Sequence, residues 1–167
     1  MHPRNLAERV LATAVALKGQ PYRERNAGPR AWDCSGLVAF ALAAQGFQGC
    51  LFVNGGTDPV TGEVYNTDIG PSGLWTYLQQ HGAMISTVDA SQPGDVLFVQ
   101  HQDGSDPYGQ NGFTHVCFCL TAGGYGSGLN FGANNPTMGL CASPIKGWAD
   151  NFGHPINLCL DCSQLHL

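Results

Sequence analysis

Apolar positions near the amino terminus recur at helical spacing. Leu6, Val10, Leu11, Ala14 and Leu17 share one face, while Arg4, Glu8, Arg9 and Lys18 fall elsewhere, which predicts an amphipathic helix. Asn5 followed three residues later by Glu8 has the spacing of a capping box, and Gly19 offers a stop. The next apolar run differs in kind. From about Ser35 to Ala44, the residues Leu37, Val38, Phe40, Ala41, Leu42 and Ala43 occupy every side of a helical cylinder. That is the pattern of a helix buried all round, and it stops at Gly46. Residues 48–71 are rich in Gly, Asn, Asp, Thr and Pro and predict a long loop, a type that in compact domains is usually functional. A third helix, about Ser72 to His81, carries Leu74, Trp75 and Leu78.

Beyond His81 the period changes from helical to extended. "DVLFVQ" (95–100), "THVCFCL" (114–120), a segment near "LNFGAN" (129–134) and "INLCL" (156–160) are short apolar or alternating runs separated by glycine-rich turns, as expected of antiparallel strands. Helices first and strands afterwards predict an α+β fold with amino-terminal helices packed on a carboxyl-terminal antiparallel sheet. A length of 167 residues fits a single domain over 1–167 and buries about two thirds of the surface that the unfolded chain exposes.

Composition narrows the partners. With 43% hydrophobic and 11% charged residues the chain is globular rather than disordered. The net charge is -5 and basic residues cluster only in "YRERNAGPR", so the electrostatic footprint of a phosphate-backbone binder is missing and nucleic acid is not an expected partner. No stretch approaches the roughly 18 apolar residues of a membrane span. The first helix lacks the unbroken apolar centre of a signal peptide. The protein is therefore expected either to stay in the cytoplasm or to leave by a route that reads no cleavable signal.

The chemistry begins at "RAWDCSGLVAFAL" (30–42), which sets Cys34 at the mouth of the buried helix. The chain has six other cysteines, Cys50, Cys117, Cys119, Cys141, Cys159 and Cys162. An even number permits three bridges in an oxidising compartment, buried free thiols are the plainer alternative, and a zinc site from "CFC" and "CLDC" is a third, although the usual knuckle pairs two CxxC motifs. A thiol of pKa about 8.5 is only a few per cent ionised at neutral pH. A helix start favours the thiolate by about 0.3 to 1 kcal/mol, too little to cleave an amide unaided. An imidazole must also protonate the leaving amine, with a third group to fix its tautomer.

Six histidines compete for that role. His2 and His166 lie at the termini, His81 at a helix end where a cation complements the dipole, and His154 before Pro155 in a loop. His101 closes the "DVLFVQ" strand and is an alternative base. His115 follows a glycine-containing loop and starts an apolar strand, so its ring can stand at the end of a buried element and still meet solvent. Trp32, Trp75 and Trp148 are candidates either for a groove or for core packing.

"ALKGQPY" (16–22), "DCSGLV" (33–38), "QPGDVLF" (92–98) and "THV" (114–116), in that order, resemble the NlpC-type family of bacterial cell-wall cysteine peptidases, a branch of the papain-like superfamily, over about residues 10–140. The resemblance implies a papain-like thiol hydrolase of peptidoglycan stem peptides that needs no cofactor or metal, commonly cutting between γ-D-glutamyl and the diamino acid through a thioester. It makes Cys34 the nucleophile and His115 the general base. By the same resemblance Tyr22, Asp33 and Ser35 recognise the substrate's amino end, and helix capping is the plainer role for Asp33 and Ser35. The family's tryptophan-glycine-glycine run is replaced here by "RERNAGPRAW". The third catalytic group falls in "GGYGSGLNFGANNP". Asn134 and Asn130 lie four residues apart and share a face of an unbroken strand. A turn centred near Tyr125 or Gly126 sets position 134 or 135 opposite His115, and either amide could hold the imidazole N–H. The oxyanion hole is expected at the backbone N–H of Cys34 and a neighbour.

For delivery, the expectation is export without a cleavable signal into the periplasm of a target bacterium, as a type VI secretion antibacterial effector with an immunity protein as its cognate partner. The alternatives are a phage lysin held in the cytoplasm until lysis, a tail-associated module of the same fold, or a cysteine protease or acyltransferase acting on another amide.

Overall fold

The computed structural model describes residues 5–167. Helix α1 (Asn5–Val15) buries Ala7, Val10, Leu11 and Ala14 in the core, the face that its spacing marked out. The capping box rests on the Asn5 side chain, which lies outside what the structure describes. The helix ends before Gly19. Its continuation is a turn, with Leu17 N–H donating to Ala14 O and Lys18 N–H to Val15 O, each at 3.0 Å.

Helix α2 (Cys34–Ala44) begins one residue earlier than its apolar pattern suggested, with Cys34 itself in the first helical position. Asp33 sets that boundary: its backbone is extended and its carboxylate accepts the Gly36 N–H at 2.7 Å, which satisfies one orphan donor of the first turn. Ser35 to Ala39, Ala41 and Leu42 are buried. Each fully buried Leu or Val contributes roughly 1.5–3 kcal/mol relative to an exposed one. Gly36 is a glycine for want of space, because a Cβ there would overlap the Asn26 carbonyl and come within 2.8 Å of the Ala27 Cα. The 26–27 backbone can therefore cross the helix start.

Residues 48–71 are not a structureless loop. A 3-10 turn (Gln48–Cys50) leads into an antiparallel hairpin of β1 (Leu51–Thr57) and β2 (Val64–Asp68). The expectation failed because the hairpin has no buried apolar face: Phe52, Val53 and Val64 are exposed and its buried residue is the polar Asn66, so no apolar alternation marks it. It is pinned instead by backbone bonds to the segment that replaces the expected tryptophan-glycine-glycine run. Ala27 N–H donates to Asn66 O at 2.8 Å and Asn66 N–H to Gly28 O at 2.9 Å, and Arg23 pairs with Asp58 at 2.6 Å. Helix α3 (Gly70–Gln80) then buries Leu74 and Leu78 against α2.

The remaining chain forms β3 (Met84–Ser86), β4 (Val96–Gln100), β5 (Phe113–Thr121), a helical turn α4 (Gly124–Ser127), β6 (Leu129–Asn135), β7 (Gly139–Pro144) and β8 (Leu158–Asp161). Six strands pair antiparallel in the order β3-β8-β4-β5-β6-β7, giving the α+β layering expected. Strands β3 and β7 carry little strand signal: β3 is a three-residue edge with Met84 and Ile85 exposed, and β7 contains a glycine and a proline. The central strands are covered on both faces. Phe98, Val116, Phe118 and Phe131 join the helices in one core, while Leu97, Val99, Cys117, Cys119 and Cys159 form a second core with Val88, Ile145 and Ile156. Double burial is why "DVLFVQ" reads as a continuous apolar run. All seven cysteines are free thiols, so the bridged alternative is not adopted. Among the described residues no cluster of His, Cys, Asp and Glu is arranged to hold a metal.

Candidate active site

A cleft of about 620 Å³ opens between the start of α2, the start of β5 and the end of β6. Cys34, His115 and Asn134 line it together, and so do Tyr22, Asp33 and Ser35. Asn130, two pleat repeats away on the same face, does not.

The helix start fixes the thiol. Position N1 leaves the Cys34 backbone N–H without an intrahelical acceptor, and the backbone N–H groups of Ser35 and Val116 lie where they favour the thiolate. The second of these lies on β5, one residue past His115. Burial pushes the Cys34 thiol well up, and the neighbouring Asp33 carboxylate adds to this.

The sheet fixes the imidazole. Strand β5 pairs with β6 through Phe118–Phe131 and Cys119–Asn130, and that register continued to the start of β5 sets Asn134 opposite His115. The His115 Nε2 lies 3.0 Å from Asn134 Oδ1. The amide's orientation follows from its other contacts: Asn134 Nδ2 donates to Asn130 Oδ1, to Cys141 O at 3.3 Å and to Ser143 Oγ at 3.3 Å. The oxygen therefore faces the ring, Nε2 carries the proton and donates it, and Nδ1 keeps its lone pair. Asn130 is fully buried and donates to Ser143 O at 3.1 Å, Ser143 Oγ at 3.0 Å and Pro144 O at 3.3 Å. Of the two candidates, Asn134 holds the histidine and Asn130 holds Asn134. The His115 ring stacks on Trp148 at 4.1 Å and 25° and is only 6% exposed. Burial pulls its pKa down to about 4, against the Asn134 hydrogen bond and the Asp150 charge, which both favour the cation. Burial thus disfavours the charged form of both the thiol and the imidazole.

The wall opposite is acidic. Asp33 Oδ1 accepts from Gly36 N–H, and Oδ2 accepts from Arg25 N–H at 3.0 Å, so the capping role is real and coexists with a place in the cleft. Burial raises Asp33 to about 7, assisted by Asp68. The Ser35 hydroxyl is shared between Asp68 and Asp33 Oδ1, the latter at 3.5 Å. Tyr22 donates its hydroxyl to Glu24 at 2.9 Å, and burial, with that bond, holds the phenol protonated.

Among the other candidates, Trp32 is core, edge-on to Phe40 at 5.5 Å, and Trp75 packs on Phe98 and Phe113. Only Trp148 reaches the cleft. His81 caps the end of α3. His101 is buried but bound to Asp150 and Ser105 and stacked on His154, outside the cleft lining. His154 is thereby half-buried. Residues that sequence reasoning missed are Asp68, which the hairpin brings in, and Asp150, which sits in a loop of no distinctive pattern.

No protein-family model matches the sequence, and no curated protein does. Solved structures do match. The NlpC/p60 domain of peptidoglycan hydrolase SagA is 21% identical over 93% of this chain and 97% of that one, with a TM-score of 0.55. The P60 domain of an antigen from M. avium subspecies paratuberculosis is 18% identical over 95% and 96%, with a TM-score of 0.57. The peptidoglycan hydrolase RipB from Mycobacterium tuberculosis is 19% identical over 93% and 64%, with a TM-score of 0.54. The fold of this chain is that of the NlpC/p60 domains, as the order of motifs implied.

Proposed function

We propose that the chain is a cysteine amidase or endopeptidase that hydrolyses peptidoglycan stem peptides. The observation that carries the reading is the His115 Nε2–Asn134 Oδ1 hydrogen bond in the cleft that Cys34 lines, because it leaves Nδ1 as the base. Support for the substrate comes from the fold, which SagA and RipB, both described as peptidoglycan hydrolases, share. The bond cut is the one between γ-D-glutamyl and the diamino acid.

Because burial disfavours both the thiolate and the imidazolium, proton transfer accompanies attack. As the sulfur attacks the scissile carbonyl, Nδ1 takes the thiol proton, so charge appears only when substrate has displaced water. The oxyanion meets the Cys34 N–H at the helix start. The imidazolium then protonates the leaving amine, and a thioester on Cys34 remains. Water, deprotonated by the same Nδ1, cleaves the thioester and restores the thiol. Tyr22, Asp33 and Ser35 bind the substrate's amino end.

The test is digestion of purified sacculi with fragment masses read by mass spectrometry. Wild type should release soluble muropeptides with new γ-D-glutamyl carboxyl ends, and Cys34→Ala should release none while keeping its fold. Sacculi left intact by wild type would overturn the substrate assignment. For delivery we propose action in a target cell's periplasm as a type VI effector restrained by an immunity protein. Expression directed to the periplasm of a Gram-negative host should then lyse it, and cytoplasmic expression should not.

A further inference from the structure

A buried polar network outside Cys34, His115 and Asn134 joins loop 145–155 to the start of β5. Asp150 Oδ2 lies 2.7 Å from His101 Nε2, and both side chains are 5% exposed or less. The same oxygen accepts from Thr114 Oγ1 at 2.5 Å. Oδ1 accepts from the Phe152 N–H at 2.9 Å and the His154 N–H at 2.8 Å. Burial pushes the carboxyl up, but these four hydrogen bonds outweigh it and hold the group down at about 2. A buried histidine–carboxylate contact adds little net stability over an apolar substitute, which invites a role for it beyond holding the fold together.

Its neighbours suggest one. Thr114 immediately precedes His115, and Trp148, two residues before Asp150, carries the indole that stacks on the imidazole. The alternative, that Ser105, His101 and Asp150 form a second nucleophile–base–carboxylate chain, fails on geometry. Neither Ser105 nor His101 lines the cleft, and the Ser105 hydroxyl is 2.6 Å from the Asp103 carboxylate, which claims its proton.

Building on the hydrolase reading, we infer that Asp150 is a positioning residue for His115: it ties loop 145–155 to His101 and Thr114 so that Trp148 lies on the imidazole and sets the plane of the ring. A hydrogen bond to Asn134 fixes one atom of the ring, and a face contact fixes its plane. Only the two together decide where Nδ1 stands. Misplacement of a base by about 1 Å is enough to cost up to about 10²-fold in rate. The Asp150 charge, near enough to favour the protonated ring, adds to the effect once His115 has taken the thiol proton.

The test uses the full chain and a probe that does not depend on peptidoglycan: the rate of Cys34 alkylation by iodoacetamide at neutral pH, read by peptide mass spectrometry, beside sacculus turnover. Trp148→Ala and Asp150→Asn should each slow both readings by roughly tenfold, in kcat rather than KM, and Trp148→Phe, which keeps a ring face, should recover most of the loss. If Asp150→Asn does not fold, the Trp148 pair decides, since that half-buried side chain lies outside the His101–Asp150 contact. Alkylation at the wild-type rate in Trp148→Ala would overturn the inference while leaving the hydrolase reading intact. Wild type that alkylates readily at Cys34 but spares sacculi would overturn the substrate reading, and the variant alkylation rates would still judge Asp150 and Trp148.

Discussion

His115 and His101 lie near the same end of neighbouring strands, since Val99 of β4 pairs with His115 of β5 and His101 follows two residues later. Both rings are nearly buried and both nitrogens of His101, like one of His115, have a polar partner within hydrogen-bond reach. They differ in what the partner is. An amide oxygen faces His115, so the ring is oriented without being charged and one nitrogen stays open to the cleft. A carboxylate faces His101, and its other nitrogen is occupied by Ser105, so no lone pair is left for chemistry. A buried imidazole becomes a base when its partner is neutral and its second nitrogen is free; given an acid on one side and a hydroxyl on the other, it becomes an anchor.

Exchanging the two roles by mutation should give opposite profiles, and this is the largest effect expected. His115→Gln should lower sacculus digestion by about 10³-fold or more with a modest change in the urea midpoint. His101→Ala should cost on the order of 3–5 kcal/mol of stability in urea unfolding, because it leaves the Asp150 carboxylate buried and unpaired, with residual activity far above that of His115→Gln. Equal losses of both kinds in both variants would erase the distinction.

A smaller effect sharpens the amide side. Asn134→Ala strands the His115 N–H in a buried place, at about 1–3 kcal/mol, and should reduce turnover by roughly tenfold to hundredfold with KM nearly unchanged. Asn134→Asp should instead make His115 resemble His101. Its charge holds the imidazolium and moves the acid limb of the pH–rate profile upward from the region near pH 4 that the wild-type ring implies.

The smallest effect lies in the pH dependence of stability. The His115 pKa is depressed to about 4, so between that pH and the unfolded value of about 6.5 the unfolded chain binds more protons and stability rises with pH. Asp33 is raised to about 7, so between about 3.9 and that pH the folded chain binds more protons and stability falls with pH. The two slopes oppose each other in wild type. Urea midpoints at pH 4.5 and 6.5 should separate them, rising with pH in Asp33→Asn and falling with pH in His115→Gln.

Much of this could be read from the chain because the relevant signals are local. The all-round apolar pattern of 35–44 announced a buried helix, the cysteine at its start marked a candidate nucleophile, and the strand that opens just before His115 marked a candidate base. The four-residue spacing of Asn130 and Asn134 put both amides on one face, but it left open which one touches the ring. The β1–β2 hairpin stayed hidden because it has no buried apolar face to impose alternation, and β3 because an exposed three-residue edge needs no apolar code.

The sequence by itself therefore determined the order of elements, the helix-start thiol, the strand-start imidazole and the fold they share with the NlpC/p60 domains. Tertiary structure alone decided the rest: that Asn134 rather than Asn130 meets His115, that Asp68 arrives beside Asp33 and Ser35 from the hairpin, and that Asp150 and Trp148 close on the imidazole from loop 145–155. Helical and strand periods are written in neighbouring residues, whereas a side chain's partner across a cleft depends on strand register and loop path, and these are fixed only when distant segments bury surface together.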